Sequence, residues 1–340
     1  MRVERIPIGD PRWCEFTSSH PGAGPFHLPA WTTVIADCYH FDAFVLAVLS
    51  DDGEILAGAP TVAARSPFGR LRWISLPFTD SCPLLVRPDA DPGEVVDALR
   101  GYVLAAPSTG LQIRDGMPEA DGLYPVQAGY IHKMDVPRDP SQLHPHKRHR
   151  ASRNVAVRMG VKITHGNAAE DVATFYRLHT LTRRRHGVPV QPRRFFDLLQ
   201  ERVLTPGNGL VATATLDGEV YAAAVYLQHN GYLVAKYHAS DPGLPSIGAG
   251  HLIEWDMMLY ACNEGFRSLD VGRTDADAEG LRFYKSGWGF VESPLVYTTI
   301  SRTPPSEGTL TVGELPKRII RSSPLWVCRT AGELLYRWTA

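Results

Sequence analysis

The chain is poor in the features that mark several large protein classes. Its five cysteines, Cys14, Cys38, Cys82, Cys262 and Cys328, are an odd number, scattered, with no C-x-x-C pair. That spacing excludes a locally encoded disulfide framework or structural zinc site, and it leaves reduced, mostly buried thiols as the expectation. There is no unbroken apolar run of about 18 residues to span a bilayer. The first ten residues carry Arg2, Glu4, Arg5 and Asp10 where a signal peptide needs an apolar core, so a cytoplasmic chain is expected. No Gly-x-Ser-x-Gly elbow occurs, and no cysteine lies in a nucleophile motif, which argues against a covalent acyl intermediate. His144, His146 and His149 are interrupted by Pro145 in a basic run that suits phosphate or solvent better than a cation, and no metal is expected.

Net charge is also lacking: 35 basic residues stand against 36 acidic ones. The balance hides an asymmetry. From Arg138 to Arg202 there are 14 Lys plus Arg against five Asp plus Glu. The densest part is His144-Pro-His-Lys-Arg-His-Arg-Ala-Ser-Arg-Asn154, with Arg183-Arg184-Arg185 and Arg193-Arg194 downstream. Two readings stand, a positive surface for phosphates and a solvated helix face, since aromatic interleaving for base stacking is sparse.

Apolar periodicity gives an α/β organisation. Residues 42–76 read as strands around an Asp51-Asp52-Gly53 turn, followed by a helix over 93–106 and a strand from Leu111 to Arg114. A strand from Tyr130 to Val136 precedes helices over 168–186 and 191–204. Strands Leu210 to Leu216, Val220 to Gln228 and Tyr232 to Tyr237 are separated by Asp217-Gly218 and Asn230-Gly231, both tight-turn pairs, and so form an antiparallel meander. A helix over 250–264 and a strand from Ser268 to Val271 complete a second unit. Asp52-Gly-Glu-Ile-Leu-Ala-Gly-Ala59 echoes Asp217-Gly-Glu-Val-Tyr-Ala-Ala-Ala224, each followed by helix then strand, which predicts a duplication. The stretch Thr303 to Thr311 reads as a linker. It leads into Leu315 to Trp338, broken by Pro316 and Pro324.

The most informative stretch runs from Ser246-Ile-Gly-Ala-Gly250 through a helix and a strand to Gly280-Leu-Arg-Phe-Tyr-Lys-Ser-Gly-Trp-Gly289. Gly248 and Gly250 would let backbone N–H groups approach an oxygen-rich ligand at a helix N-terminus, although glycine is also the usual residue of any tight loop there. In this context the segment resembles the GNAT acyltransferase fold, whose R/Q-x-x-G-x-G/A loop holds a pyrophosphate and whose later tyrosine aids the leaving group. Pro245 stands where that family has Arg or Gln.

Over nearly its whole length the chain is similar to the Fem-type peptidyltransferases and their relatives. The residues that carry this are Phe26-His-Leu-Pro-Ala-Trp31, Leu76-Pro-Phe-Thr-Asp80, Lys147-Arg-x-Arg-x-x-Arg-Asn154, Lys236-Tyr-His-Ala-Ser240, and Gly272-Arg-Thr-Asp275 leading into Gly280-Leu-Arg-Phe-Tyr-Lys285. The resemblance implies two tandem GNAT-like domains with mixed α+β sheets. The first is expected over 1–145, completed by 303–340, and the second, active one over 146–302.

It further implies amide formation by direct transfer from aminoacyl-tRNA to an amine of a cell-envelope precursor or a small biosynthetic metabolite. Tyr284-Lys285 matches the aromatic-Lys pair that lies beside the acyl acceptor in Fem enzymes. An ammonium there would stabilise the oxyanion and the leaving anion, while Tyr284 is either a proton donor or a core aromatic beside Trp288. Asp80 is either a proton acceptor for the amine or ordinary turn chemistry. Tyr237, Arg273, Asp275, Phe283 and Trp31 are the expected substrate contacts. Gly248, Gly250, Lys147, Arg148, Arg150 and Arg153 are expected at donor phosphates.

No tightly bound cofactor is expected; aminoacyl-tRNA or acyl-CoA is the co-substrate. Acyl-CoA or a carrier-protein thioester is the alternative donor, and a non-catalytic nucleic-acid-binding protein on a degenerate GNAT scaffold is a further alternative. Lys317-Arg-Ile-Ile-Arg321 with Leu325, Trp326, Leu334, Leu335, Tyr336 and Trp338 would suit peripheral contact with the inner face of a membrane, as a lipid-linked acceptor requires, or docking onto the first domain.

Overall fold

The computed structural model describes residues 1–65, 69, 71–305, 318 and 320–336, excluding the side chains of Leu334 and Leu335. The chain forms two compact units. The first takes Met1–Gly129 with 294–305. The second takes Tyr130–Ser293 with 318 and 320–336.

In the first unit, β1 (Arg2–Ile6), β2 (Asp42–Leu49), β3 (Ile55–Arg65) and β4 (Leu71–Ile74) are antiparallel neighbours, and the short β5 (Leu85–Val86) pairs with β3. β4 then runs parallel to β6 (Leu111–Ile113). The helices are α1 (Pro11–Ser19), α2 (Pro29–Tyr39) and α3 (Pro92–Ala105). Each opens with proline at its first turn, where the missing N–H costs nothing. Asp10 and Asp91 cap α1 and α3 by accepting from Arg12 N and Glu94 N, both at 3.0 Å. β2 and β3 are buried along almost their whole length, as strands covered on both faces require.

The second unit repeats the order. β8 (Lys162–Gly166), β9 (Gly209–Leu216), β10 (Glu219–His229) and β11 (Tyr232–Ser240) are antiparallel neighbours, and β11 runs parallel to β12 (Ser268–Thr274). Asp217-Gly218 and Asn230-Gly231 make the expected turns, with φ of 51°, 83°, 46° and 74°. Two successive left-handed residues match the twist of the flanking strands. Helices α4 (Lys147–Met159), α5 (Ala169–His186), α6 (Arg193–Leu199), α7 (Ala249–Asn263) and α8 (Glu279–Ser286) surround this sheet. α7 packs against β9 and β10, and α5 packs against β10 and β11.

The sequence echo therefore marks two hairpins in matching places, β2–β3 and β9–β10, each followed by a parallel pair. The closing strand of each unit comes from the other half of the sequence. β7 (Leu123–Asp135) follows β6 yet pairs with β12, while β13 (Val291–Ile300) follows β12 yet pairs Thr298 with Ile113. This is why the units divide at Gly129 and not at residue 145.

The C-terminal segment also divides: 303–305 stay with the first unit, and α9 (Leu325–Leu335) lies in the second. The sequence had offered docking onto the first domain. α9 instead seats the Cys328 thiol 3.4 Å from Val188 O, and the Glu333 carboxylate accepts from Arg193 N at 3.3 Å. Lys317, Ile319 and Trp338 lie outside the described residues.

Candidate active site

The second unit's parallel strands pair only over Tyr232–Ser268, Leu233–Leu269 and Val234–Asp270, and beyond these they part. Both carry an irregularity where they do so. In β11 the partners jump from Ala235–Tyr226 to Tyr237–Val225, so Lys236 is the extra residue of a bulge. A bulge reverses the alternation of side chains. Tyr237 thus turns to the α5 side, among Phe175, His179, Phe195 and Phe196. His238 turns to the α7 side, its ring 5.7 Å from that of Tyr226. In β12 the register against β7 shifts between Asp270 and Arg273, Gly272 adopts φ 73°, and Gly272 N donates to Asp270 Oδ1 at 2.7 Å.

Lys285 fills the gap. Its Nζ donates to Gly272 O at 2.8 Å and to Arg273 O at 3.2 Å, and the residue is 7% exposed. A buried ammonium is tolerated only where oxygen acceptors replace its water, and the bulged carbonyls of β12 do so. α8 is pinned one turn earlier: Arg282 grips Glu292 through bonds of 2.8 and 2.6 Å and lies 4.0 Å over the Tyr130 ring. The Arg282 guanidinium holds the Glu292 carboxyl below its ordinary range. His132 Nε2 stands 3.1 Å from Glu292 Oε2, and burial, helped by the charge of Lys285, lowers its pKa.

Glu254 on α7 is 4% exposed, and its Oε1 has no hydrogen-bond partner. Burial raises its pKa to about 7, with the Lys285 charge working in the other direction. Its Oε2 lies 4.0 Å from His238 Nε2. The His238 side chain keeps 45% of its surface accessible, with protein packed around the rest of the ring. That crowding and the Lys285 charge bring its pKa down to about 4, so the imidazole is neutral at neutral pH. The Tyr226 hydroxyl, also buried, has no partner, and burial lifts its pKa well above the usual phenol range.

Tyr284 closes the next layer. Its ring meets His149 edge-on at 4.9 Å and His251 at 5.4 Å, while His149 stacks on Trp288 at 4.7 Å. Burial raises the Tyr284 pKa and lowers those of His149 and His251, so this cluster is neutral near pH 7.

The remaining expected residues are distributed as follows. Gly248, with φ 80°, ends the loop before α7, and a Cβ there would run into the Ser152 carbonyl of α4. Gly250 faces open space. Lys147, Arg148 and Arg150 are exposed on α4. Arg153 bonds to Asn154 Oδ1 at 2.8 Å and lies 4.6 Å over Trp255. Arg273 and Asp275 pair with each other at 2.6 Å. Phe283 is 61% exposed, 6.4 Å from the His146 ring. Trp31 and Asp80 belong to the first unit. Trp31 is fully buried, donating from Nε1 to Thr79 Oγ1 at 2.9 Å, so it packs beneath the loop and presents no surface to a substrate. Asp80 accepts from the Tyr297 hydroxyl through its backbone oxygen at 2.8 Å.

Residues 146–286 match the Acetyltransferase (GNAT) domain model. The span contains α4, the Gly248 loop, α7, Glu254 and Lys285. This chain carries a GNAT acyltransferase domain in a Fem-like fold. Similar solved structures include FemX, at 16% identity and TM-score 0.70 over 88% of this chain and 97% of that one. A tandem GNAT protein from the clavulanic acid biosynthesis pathway gives 12%, 0.53, 89% and 100%. L-PGS from Bacillus licheniformis gives 14%, 0.52, 82% and 90%. No curated protein sequence matches the chain.

Of the side chains that the structure gathers in this domain, the sequence had singled out Lys285 and Tyr284 and had not singled out Glu254, His238 or Tyr226. Glu254 carried a weak signal: its carboxylate stands among the buried Leu252, Ile253, Met257 and Met258, although Asp256, which pairs with His165, lies two residues on. His238 stands in the Lys236-Tyr-His-Ala-Ser240 string of the resemblance, but nothing local shows that the bulge turns it toward Glu254. Among the described residues no group of three or more His, Cys, Asp or Glu is arranged to hold a metal ion.

Proposed function

We propose that the chain transfers an aminoacyl group from aminoacyl-tRNA directly to an amine of a cell-envelope precursor or a small biosynthetic metabolite, in the cleft of the second unit. The observation that carries this is the buried Lys285 ammonium where β11 and β12 part. The amine nitrogen attacks the ester carbonyl, an oxyanion develops, and the ribose oxygen leaves. An ammonium fixed in a low-dielectric gap favours both charges as they form, which is where such a group contributes most.

The donor assignment is supported by α4. Lys147, Arg148 and Arg150 are exposed on one helix that has no acidic residue, beside the loop that precedes α7. Gly248 has a packing reason, the approach of Ser152, that requires no pyrophosphate. The Fem-like fold and the likeness to L-PGS favour the same donor. Acyl-CoA, or a carrier-protein thioester, is the second reading, favoured by the open space over Gly250 at the N-terminus of α7.

Binding of charged tRNA and of acetyl-CoA, each at two salt concentrations, separates the two readings. Salt-sensitive tRNA binding without CoA binding is the expected result. Replacing Lys147, Arg148 and Arg150 together by Ala should lower the salt slope by about three, roughly one per lost phosphate contact. An unchanged slope removes the tRNA assignment, and CoA binding alone transfers it to acyl-CoA.

For a lipid-linked acceptor, the exposed Trp326 of α9 with Arg318 and Arg321 is the proposed peripheral membrane contact. Sedimentation with anionic vesicles, lost on Trp326→Ser, tests it. No helix among the described residues is long and apolar enough to cross a membrane.

A further inference from the structure

Glu254 has no task in the transfer step described so far. It is 4% exposed, with Leu252, Ile253, Met257 and Met258 buried around it on the same helix, its Oε1 is unpartnered, and Tyr226, also buried, leaves its hydroxyl unpartnered. Such groups are costly to bury and persist where a site uses them. The His238 imidazole, 45% exposed at its side chain, stands 4.0 Å from Glu254 Oε2, so a shift of about 1 Å makes a hydrogen bond.

We propose that His238 and Glu254 form a proton path from the cleft, in which His238 takes the proton that the acceptor nitrogen loses and Glu254 holds it. This rests on the acyl-transfer reading above. As the nitrogen lone pair forms the C–N bond, its proton passes to one ring nitrogen of His238 while the other releases a proton to Glu254. When the carbonyl carbon loses its bond to the ribose oxygen, the proton returns along the path and ends on that oxygen. The product is an amide and an alcohol, and both side chains are restored.

Of the groups around the pair only Lys285 is charged, and burial keeps Tyr226 and Tyr284 neutral. From α8 come Lys285 and Tyr284, from β10 Tyr226, and from α7 Glu254 itself. Burial, and then the Lys285 charge, oppose a lasting imidazolium at His238, so the proton rests on the carboxylate. Burial has already placed Glu254 where it titrates near neutrality.

The test uses the full chain, a mixture of aminoacyl-tRNAs, and lysine, glucosamine and ethanolamine as acceptor amines, with single-turnover transfer followed from pH 5.5 to 9. The wild-type rate should rise through a limb near neutral pH. Glu254→Gln should lower the rate about 10²-fold and flatten that limb, Glu254→Asp should restore part of both, and His238→Gln should resemble Glu254→Gln. Infrared titration of the same proteins should show a protonated carboxyl near neutral pH that is absent from Glu254→Gln. If Glu254→Gln keeps the full rate and the same limb while Lys285→Met is slowed by about 10²–10³-fold, the proton path is overturned and acyl transfer stands. A wild-type chain that transfers nothing to any amine overturns both.

Discussion

Each unit has one parallel strand pair, and the two pairs are finished differently. In the first unit, β4 and β6 pair at Trp73–Leu111 and Ile74–Gln112, and Ser75 N adds a bond of 2.8 Å to Gln112 O. The chain then folds back through Leu76 and Phe78, at φ of 63° and 61°, and returns so that Cys82 N donates to Arg114 O at 3.0 Å. Ser75 Oγ accepts from Arg114 N at 2.8 Å and donates to Cys82 O at 3.0 Å. That gap is sealed by its own backbone. Burial lifts the Cys82 thiol well above its usual range, so it stays protonated and inert. In the second unit the equivalent gap takes the Lys285 ammonium, whose charge acts on His238 and Glu254. The same topology thus gives a joint sealed by backbone in one unit and one that takes in a charged side chain in the other.

Four experiments would break or sharpen that contrast. The largest expected effect is on chemistry: Lys285→Met should lower the transfer rate about 10²–10³-fold, whereas Ser75→Ala should leave it unchanged. Equal losses would dissolve the distinction between the gaps.

Next is the pH dependence of stability. Glu254 titrates at about 7 when folded and near ~4.3 when unfolded, so the folded state binds more protons between these values. Its contribution is present at low pH and is lost as pH rises through about 7, on the order of 3–4 kcal/mol. His238, depressed to about 4, acts in the opposite direction between about 4 and 6.5. The difference between wild type and Glu254→Gln isolates the carboxyl, and urea unfolding should show the variant gaining on wild type from pH 5 to 8.

A smaller effect is expected at the loop before α7. Gly248→Ala, at φ 80° and against Ser152, should cost roughly 1–3 kcal/mol of stability by thermal unfolding, while Gly250→Ala should cost nothing. If Gly250→Ala instead abolishes acetyl-CoA binding, the open space there holds a donor. The smallest is Ser75→Ala, which leaves Arg114 N without its acceptor and should cost about 1–2 kcal/mol in urea with transfer intact.

Much of this architecture was legible because it is local. Asp217-Gly218 and Asn230-Gly231 specify their hairpins by turn chemistry alone, and the helix over 250–264 and the strand after it follow from apolar spacing. The helices α1 and α2 were not read, since Pro11 and Pro29 look like breaks until they are seen to open first turns. The exchange of β7 and β13 was invisible, because no local pattern records which distant edge a strand will join. At the site, Lys285 stands in a recognisable string, but its carbonyl partners exist only because β12 bulges at Gly272, and His238 reaches Glu254 only because β11 bulges at Lys236. Such bulges depend on pairing across the sheet and leave little mark on the residues that make them.

The most direct test of the claim that transfer takes place beside Lys285 is single-turnover reaction of a preformed complex with aminoacyl-tRNA, in wild type and Lys285→Met, with tRNA affinity measured on the same samples. The account predicts equal affinity and a rate lower by about 10²–10³-fold in the variant. A variant that binds equally and transfers at the wild-type rate would contradict it.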